Sequence, residues 1–201
     1  MATYDRRTQD VSNLVSLEHL NLTVSDQQLS TLFYVVGLGL TRDPYVMIGL
    51  ENMWANIGHQ QFHLPTRTTS QVMRGRIGLV VPSVEELEAR LMSVKDALGG
   101  TQFAYERADA NLDVTGPWGN RFRCHPASER MAGARLGLEY LIFNVPVGTA
   151  EGITRFYADV IGASAEVVER RGAPAARVLA GRHQSLIFRE TEEAIEPYDG
   201  H

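Results

Sequence analysis

The hydrophobic and polar positions change period within residues 17–40, LEHLNLTVSDQQLSTLFYVVGLGL. Leu20, Leu22 and Val24 alternate with His19, Asn21 and Thr23, which predicts an extended strand with one apolar and one polar face. Ser25 or Asp26 then stands where a helix N-cap belongs. Leu29, Leu32, Phe33 and Val36 follow at helical spacing, and Gly37 and Gly39 end the run. The stretch predicts strand, cap, helix and stop.

The same order recurs. Residues 138–162, LEYLIFNVPVGTAEGITRFYADVIG, repeat the opening, set Phe156 and Tyr157 where the first copy has Phe33 and Tyr34, and close on Val160, Ile161 and Gly162. Downstream, GHQQFHL at 58–64 resembles HQSLIF at 183–188. A weaker middle copy runs through RIGLVVPS at 76–83, then a helical stretch at 84–98 with Leu87, Leu91, Val94 and Leu98 on one face. Three repeats of one strand–helix–strands unit are therefore expected. The first spans about 16–66, with strands at 41–48, 53–57 and 60–64. The second spans 75 to about 126, with strands near 102–107, 111–115 and 121–125 and a Gly-Pro-Trp-Gly-Asn turn at 116–120. The third spans 137–190, with a tight turn at 170–174. Residues 1–126 are expected to form a domain of two paired units, and 191–201 an acidic tail or the start of a missing fourth unit, because Pro197-Tyr-Asp-Gly-His201 looks like the lead-in to another first strand.

With 201 residues, 44% hydrophobic and 21% charged, the chain can bury one large or two small cores. A net charge of −5 and a pI near 5.7 argue against a general nucleic-acid surface. The single Cys124 excludes an internal disulfide framework and suits a reducing compartment. No apolar run approaches the roughly 18 residues of a membrane span, and the polar start lacks a secretory core. A soluble cytoplasmic protein without a membrane partner is the expectation. No P-loop, dinucleotide or Gly-x-Ser-x-Gly fingerprint occurs.

Three features carry a family resemblance: His19 in LEHLNLTV, the Trp-x-x-x-Gly-His-Gln-x-x-His-Leu pattern from Trp54 to Leu64, and Gly-Pro-Trp-Gly-Asn-Arg-Phe from Gly116 to Phe122. In order and spacing they resemble the vicinal oxygen chelate superfamily, which includes glyoxalase I, the extradiol dioxygenases and the bleomycin-resistance proteins. The resemblance covers about 175 residues by this reading. It implies an α+β fold of repeated βαβββ units, whose curled mixed sheets form a cleft with the helices on the outer face. It also implies a small-molecule substrate or ligand and, because an odd number of units leaves an edge uncovered, a homodimer.

On that resemblance the cleft receives His19, Asn21 and Thr23 from the first strand, Gln61 and His63 from the last strand of the first unit, Arg76 from the second unit, Tyr140 from the third, and Arg121, Arg123 and His125 from the last strand of the second. The family's four metal positions fall on His19, His63, Arg76 and Arg123. Two are acceptable ligands and two are guanidinium groups with no lone pair to give. A divalent ion (Fe, Mn, Zn or Ni) on His19 and His63 would need Gln61 or His125 to complete an otherwise incomplete ligand set. Arg76, Arg121 and Arg123 instead suit an anionic ligand, with Trp54 and Asn21 as further substrate contacts; the alternative for these Arg residues is structural pairing with Glu18, Asp113 or Glu139. For His19 the structural alternative is a neutral imidazole hydrogen-bonded to a neighbouring strand. Tyr34 reads as core and Cys124 as an inward-facing, unreactive thiol; Trp118 is a rim residue or a lid. No catalytic base is assigned. Two functions remain: a metal-dependent lyase, isomerase or dioxygenase, and a metal-free protein of the bleomycin-resistance type that sequesters an anionic compound.

Overall fold

A computed structural model describes residues 14–46, 49, 51–129 and 133–195. The chain-end motif at 197–201 lies outside the described residues. The chain divides into two compact units. One comprises residues 18–139, the other residues 14–17 together with 140–195.

The first unit holds two strand sets of identical order. β1 (His19–Asn21), β2 (Thr41–Arg42), β3 (Asn52–Ile57) and β4 (Gln60–Pro65) lie as β1-β4-β3-β2. β5 (Gly75–Val80), β6 (Ala104–Ala108), β7 (Asn111–Thr115) and β8 (Arg121–His125) lie as β5-β8-β7-β6. In each set the first strand runs parallel to the fourth and the rest are antiparallel. The other unit repeats this with β9 (Gly137–Pro146), β10 (Ala165–Arg170), β11 (Ala173–Ala180) and β12 (Gln184–Thr191), ordered β10-β11-β12-β9 with β9 parallel to β12. The architecture is α+β, built from repeated βαβββ units.

Local sequence accounts for the elements. α1 (Gln27–Ser30, continuing as a π-helical turn Thr31–Gly37) starts at Asp26, whose carboxylate accepts from Gln28 N at 2.7 Å and Leu29 N at 2.9 Å. α2 (Val84–Val94) is capped by Ser83, which accepts from Glu86 N at 3.1 Å. The hairpin after β10 turns through Arg171 and Gly172, both at positive φ, as a type I′ turn requires. Of the expected strand at 41–48, whose last two residues lie outside the described ones, Thr41–Arg42 is extended and 43–46 is not. Asp43 ends it, accepting from Tyr45 N at 2.8 Å and Val46 N at 2.9 Å in an Asx turn.

α3 (Ala150–Arg155, continuing as a π-helical turn Phe156–Ile161) has no side-chain cap of its own. The carboxylate of buried Glu190, from β12, accepts from Ala150 N at 2.8 Å. Backbone N–H groups of Gly148, Ala150 and Thr149 hold its pKa below the usual carboxylate value.

The core of residues 18–139 forms where the apolar faces of its two sheets meet around α1. Tyr34 lies 5.3 Å from Phe62 of β4 and 6.3 Å from Phe122 of β8, ring centre to ring centre. Phe33 lies 5.4 Å from Phe122. Phe62 and Phe122 themselves approach to 6.2 Å. The π-helical widening moves the buried stripe of α1 to Ser30, Phe33, Tyr34 and Gly37 and leaves Val36 exposed, against the simple helical expectation. α2 packs on α1 at Gly37, where a Cβ would lie 3.3 Å from Val94 Cγ2 and 3.4 Å from Leu91 Cδ2. Tyr34 and Cys124 are buried as expected, and burial, with the charge of Asp113, pushes the Cys124 thiol up to about 12.

Two measurements check this packing. Gly37→Val should destabilise by about 1–3 kcal/mol through overpacking against Val94 and Leu91, read as a lower denaturant midpoint. The stabilisation from Glu190 should be complete above the ordinary carboxylate pKa and lost as pH falls through its lowered folded-state value. Glu190→Gln should therefore lower the melting temperature at neutral pH and flatten its acid dependence.

Candidate functional site

The polar face of the β1-β4-β3-β2 sheet gathers most of the expected site residues. The register sets His19 beside Gln61 and Asn56, and Asn21 beside His63 and Trp54. The His63 and Trp54 rings are stacked, 4.0 Å apart and 12° from parallel. His19 meets Trp54 edge-on at 5.3 Å and lies 6.4 Å from His63. Trp54 and His63 are half-buried, whereas His19 and Asn21 are exposed.

Hydrogen bonds set the chemical state of this face. His63 Nε2 donates to Asn52 Oδ1 at 2.5 Å, so Nδ1 carries the lone pair. Burial first, then the charges of His19 and Arg67, pull the His63 pKa below its ordinary value. The imidazole is therefore neutral at neutral pH. His19 Nδ1 pairs with the Glu18 carboxylate. Gln61 Nε2 donates to Asn56 Oδ1 at 2.6 Å and Asp43 Oδ2 at 2.9 Å. Asp43 keeps a lowered pKa through the backbone N–H groups of Val46 and Tyr45. Asn52, Asn56 and Asp43 escape a search for metal ligands or charged pairs; the alternation of β3 was the one signal for the two Asn residues.

The Arg residues and His125 belong to the polar face of β5-β8-β7-β6. Arg123 grips Asp113 with both ends of its fork, Nε to Oδ1 at 2.8 Å and Nη2 to Oδ2 at 2.6 Å. Arg76 Nη1 reaches the same carboxylate at 3.3 Å. Asp113 thus occupies the fork that a ligand anion would use. Arg121 is exposed at the start of β8. His125 Nδ1 donates to Pro126 O at 2.8 Å, and its Nε2 lies 3.2 Å from Glu139 Oε2. The other Glu139 oxygen accepts from Ser128.

The two groups are not brought together. Phe62 and Phe122 point at each other through the core, so the alternation of β4 and β8 turns His63 and Arg123 away from that core in opposite directions. His125 therefore cannot complete a ligand set with His19 and His63. Among the described residues, no three His, Cys, Asp or Glu side chains are grouped to hold a metal ion. Two imidazoles beside an amide turned to Asp43 are half of a donor set, so the described residues of this sheet do not by themselves fit a resident divalent ion.

Parts of the sequence motifs are architectural. Asn120, 3% exposed, accepts from Met73 N and donates to Gln71 O, both at 2.8 Å, and so ties residues 71–73 to the turn before β8. Gly58 has φ +64, and the Leu136 carbonyl fills the space a Cβ would take. Gln60 Oε1 accepts from Leu138 N at 3.1 Å.

No protein-family model and no curated protein sequence matches the chain. Solved structures do. Glyoxalase I from Zea mays superposes with a TM-score of 0.63 at 13% identity, over 92% of this chain and 70% of that one. A proposed dioxygenase from Bacillus subtilis superposes with a TM-score of 0.58 at 15% identity, over 93% of this chain and 66% of that one. The chain thus spans about two thirds of the length of these proteins. Among the described residues no helix is long and apolar enough to cross a membrane. At such identities the likeness is one of fold: this chain is folded like glyoxalase I.

Proposed function

We propose that this glyoxalase-fold chain binds a small planar, oxygen-bearing molecule on the polar face of its first sheet, over Trp54 and beside His63 and His19. One observation carries the reading: the stacked Trp54–His63 pair, half-buried, with its tautomer fixed by Asn52. An indole face offers stacking area, and Nδ1 of a neutral imidazole accepts a hydrogen bond from a ligand hydroxyl. The same Nδ1 takes a proton when the ligand is a sufficiently strong acid. Glu18 pairs with Nδ1 of His19 and so orients the exposed imidazole beside Trp54. Binding, and proton transfer where the ligand permits it, needs no ion held by this chain. Arg76 and Arg123 serve the second sheet through Asp113 in this reading. Residence in the cytoplasm goes with this reading, since a single cysteine suits a reducing compartment.

A second reading, a metal-dependent lyase, isomerase or dioxygenase, is favoured by the 6.4 Å spacing of His19 and His63. It requires donors from outside this sheet. Metal analysis of untagged protein, with titration of Fe, Mn, Zn and Ni, separates the two. About one ion per chain, lost in a His19→Ala, His63→Ala variant, would establish the second reading and overturn the first.

Binding is read most directly from Trp54 fluorescence in a Trp118→Phe background, against a panel of aromatic diols, hydroxyketones and diketones. Trp54→Ala, which lacks the reporter and is therefore read by titration calorimetry, should weaken any hit by roughly 10-fold or more, on the scale of a lost aromatic contact. Equal affinity in the variant would refute the site. Independently, an NMR titration should give His63 a midpoint below the ordinary value near 6.5. His19→Asn should move that midpoint upward by removing one of its positive neighbours.

A further inference from the structure

The Phe–Tyr pair shared by α1 and α3 performs two tasks in the first repeat and only one in the third. Tyr34 packs on its own sheet through Phe62 at 5.3 Å, and Tyr157 does the same through Phe188 at 5.5 Å. Phe33 instead reaches the neighbouring repeat, 5.4 Å from Phe122 and 6.1 Å from Phe103, and is fully buried there. Phe156, its counterpart, is 50% exposed, and Val160, one turn on, is 49% exposed. No residue of the π-helical turn Phe156–Ile161 is buried. Val147, in the turn before α3, is 61% exposed. Gly152 lies one turn before Phe156; the nearest side-chain atom to the Cβ it lacks is Arg155 Nη2, at 3.9 Å. The outer face of α3 therefore carries an apolar knob beside an open recess.

We propose that this face is a self-association surface, on which α3 of one chain packs antiparallel against α3 of a second copy about a twofold axis. An axis passing near Thr154 sets Phe156 of each copy on Gly152 of the other, and Val160 of each against Val147 of the other. The first repeat supplies the precedent, since its corresponding helix face is closed by a helix of another repeat, approached at a glycine, Gly37. The charges favour a second copy of the same face. Glu151 and Arg155 flank the apolar stripe as an exposed pair 3.7 Å apart, 81% and 68% exposed, which leaves both open to the opposite charges of a second copy. In the antiparallel arrangement Arg155 of each copy comes opposite Glu151 of the other, which makes the face complementary to itself.

Sedimentation velocity on the full chain, at about 100 μM so that a micromolar dimer is largely associated, tests this. A species of twice 22.3 kDa is expected. Phe156→Glu should weaken the dimer at least about tenfold, with the circular dichroism melt retained because the residue is half exposed. Should that variant fail to fold, the exposed charges decide: Arg155→Glu should weaken the dimer, and adding Glu151→Arg should restore it. A monomer at that concentration would overturn the proposal. So would a dimer indifferent to Phe156→Glu, or one indifferent to Arg155→Glu where the first variant does not fold; either would place the interface elsewhere.

Discussion

Everything in residues 18–139 depends on the contact of Phe62 with Phe122 around Tyr34. Two sheets that each bury one face must meet on those faces, and the bulk of α1 sets how they meet. Strand alternation then leaves no freedom for the remaining side chains. Whatever stands next to Phe62 or Phe122 in sequence points outward, and the two outward faces diverge. The chemistry of the chain is thus divided between two surfaces by a packing constraint located at neither.

That division alters how the ionisable groups behave. On the first sheet, His63 is stacked on an indole, and its partial desolvation and the positive charge near it keep it neutral. On the second, one carboxylate, Asp113, sits between two guanidinium groups and is held by both. Partly buried ion pairs of this kind fix geometry more than they add stability. The first surface carries a neutral imidazole, and the second has its charges turned on each other.

The repeats were legible because strand alternation followed by a helical stretch recurs in all three, and the Phe–Tyr pair recurs in the first and third. The turn after β10 was legible too, with glycine where positive φ is needed. What could not be read was which faces would confront each other. Periodicity assigns a residue to one side of its own strand and says nothing about the neighbour across the core, so His63 and Arg123 looked like partners in one cleft. The structural partners of Arg76 and Arg123 were named only as an alternative, because Asp113 lies ten residues before Arg123 and becomes its neighbour only through the β7–β8 hairpin. The strand expected from Thr41 is present but stops at Arg42, because Asp43 competes for the backbone that a longer strand would need.

The motif that carried the family resemblance resolves into two kinds of residue. In Trp54 to Leu64, Trp54 and His63 stand on the polar face, whereas Gly58 and Gln60 hold the turn against the backbone of residues 136–138. The third repeat keeps only the second kind. Gly181, at φ +69, is closed by the Val15 carbonyl, and Gln184 exchanges two hydrogen bonds with the backbone of Leu17, at 2.9 and 3.0 Å. At the places of Trp54 and His63 that repeat has Arg177 and Ile187, the pair its own register sets side by side. A lock that recurs without its aromatic–imidazole pair serves the architecture. Since the fold forms the same turn without Trp54 and His63, packing does not require that pair in the first repeat. The polar side chains placed around it, Asn52 on His63 and Glu18 on His19, are arrangements for which the glyoxalase fold itself has no need.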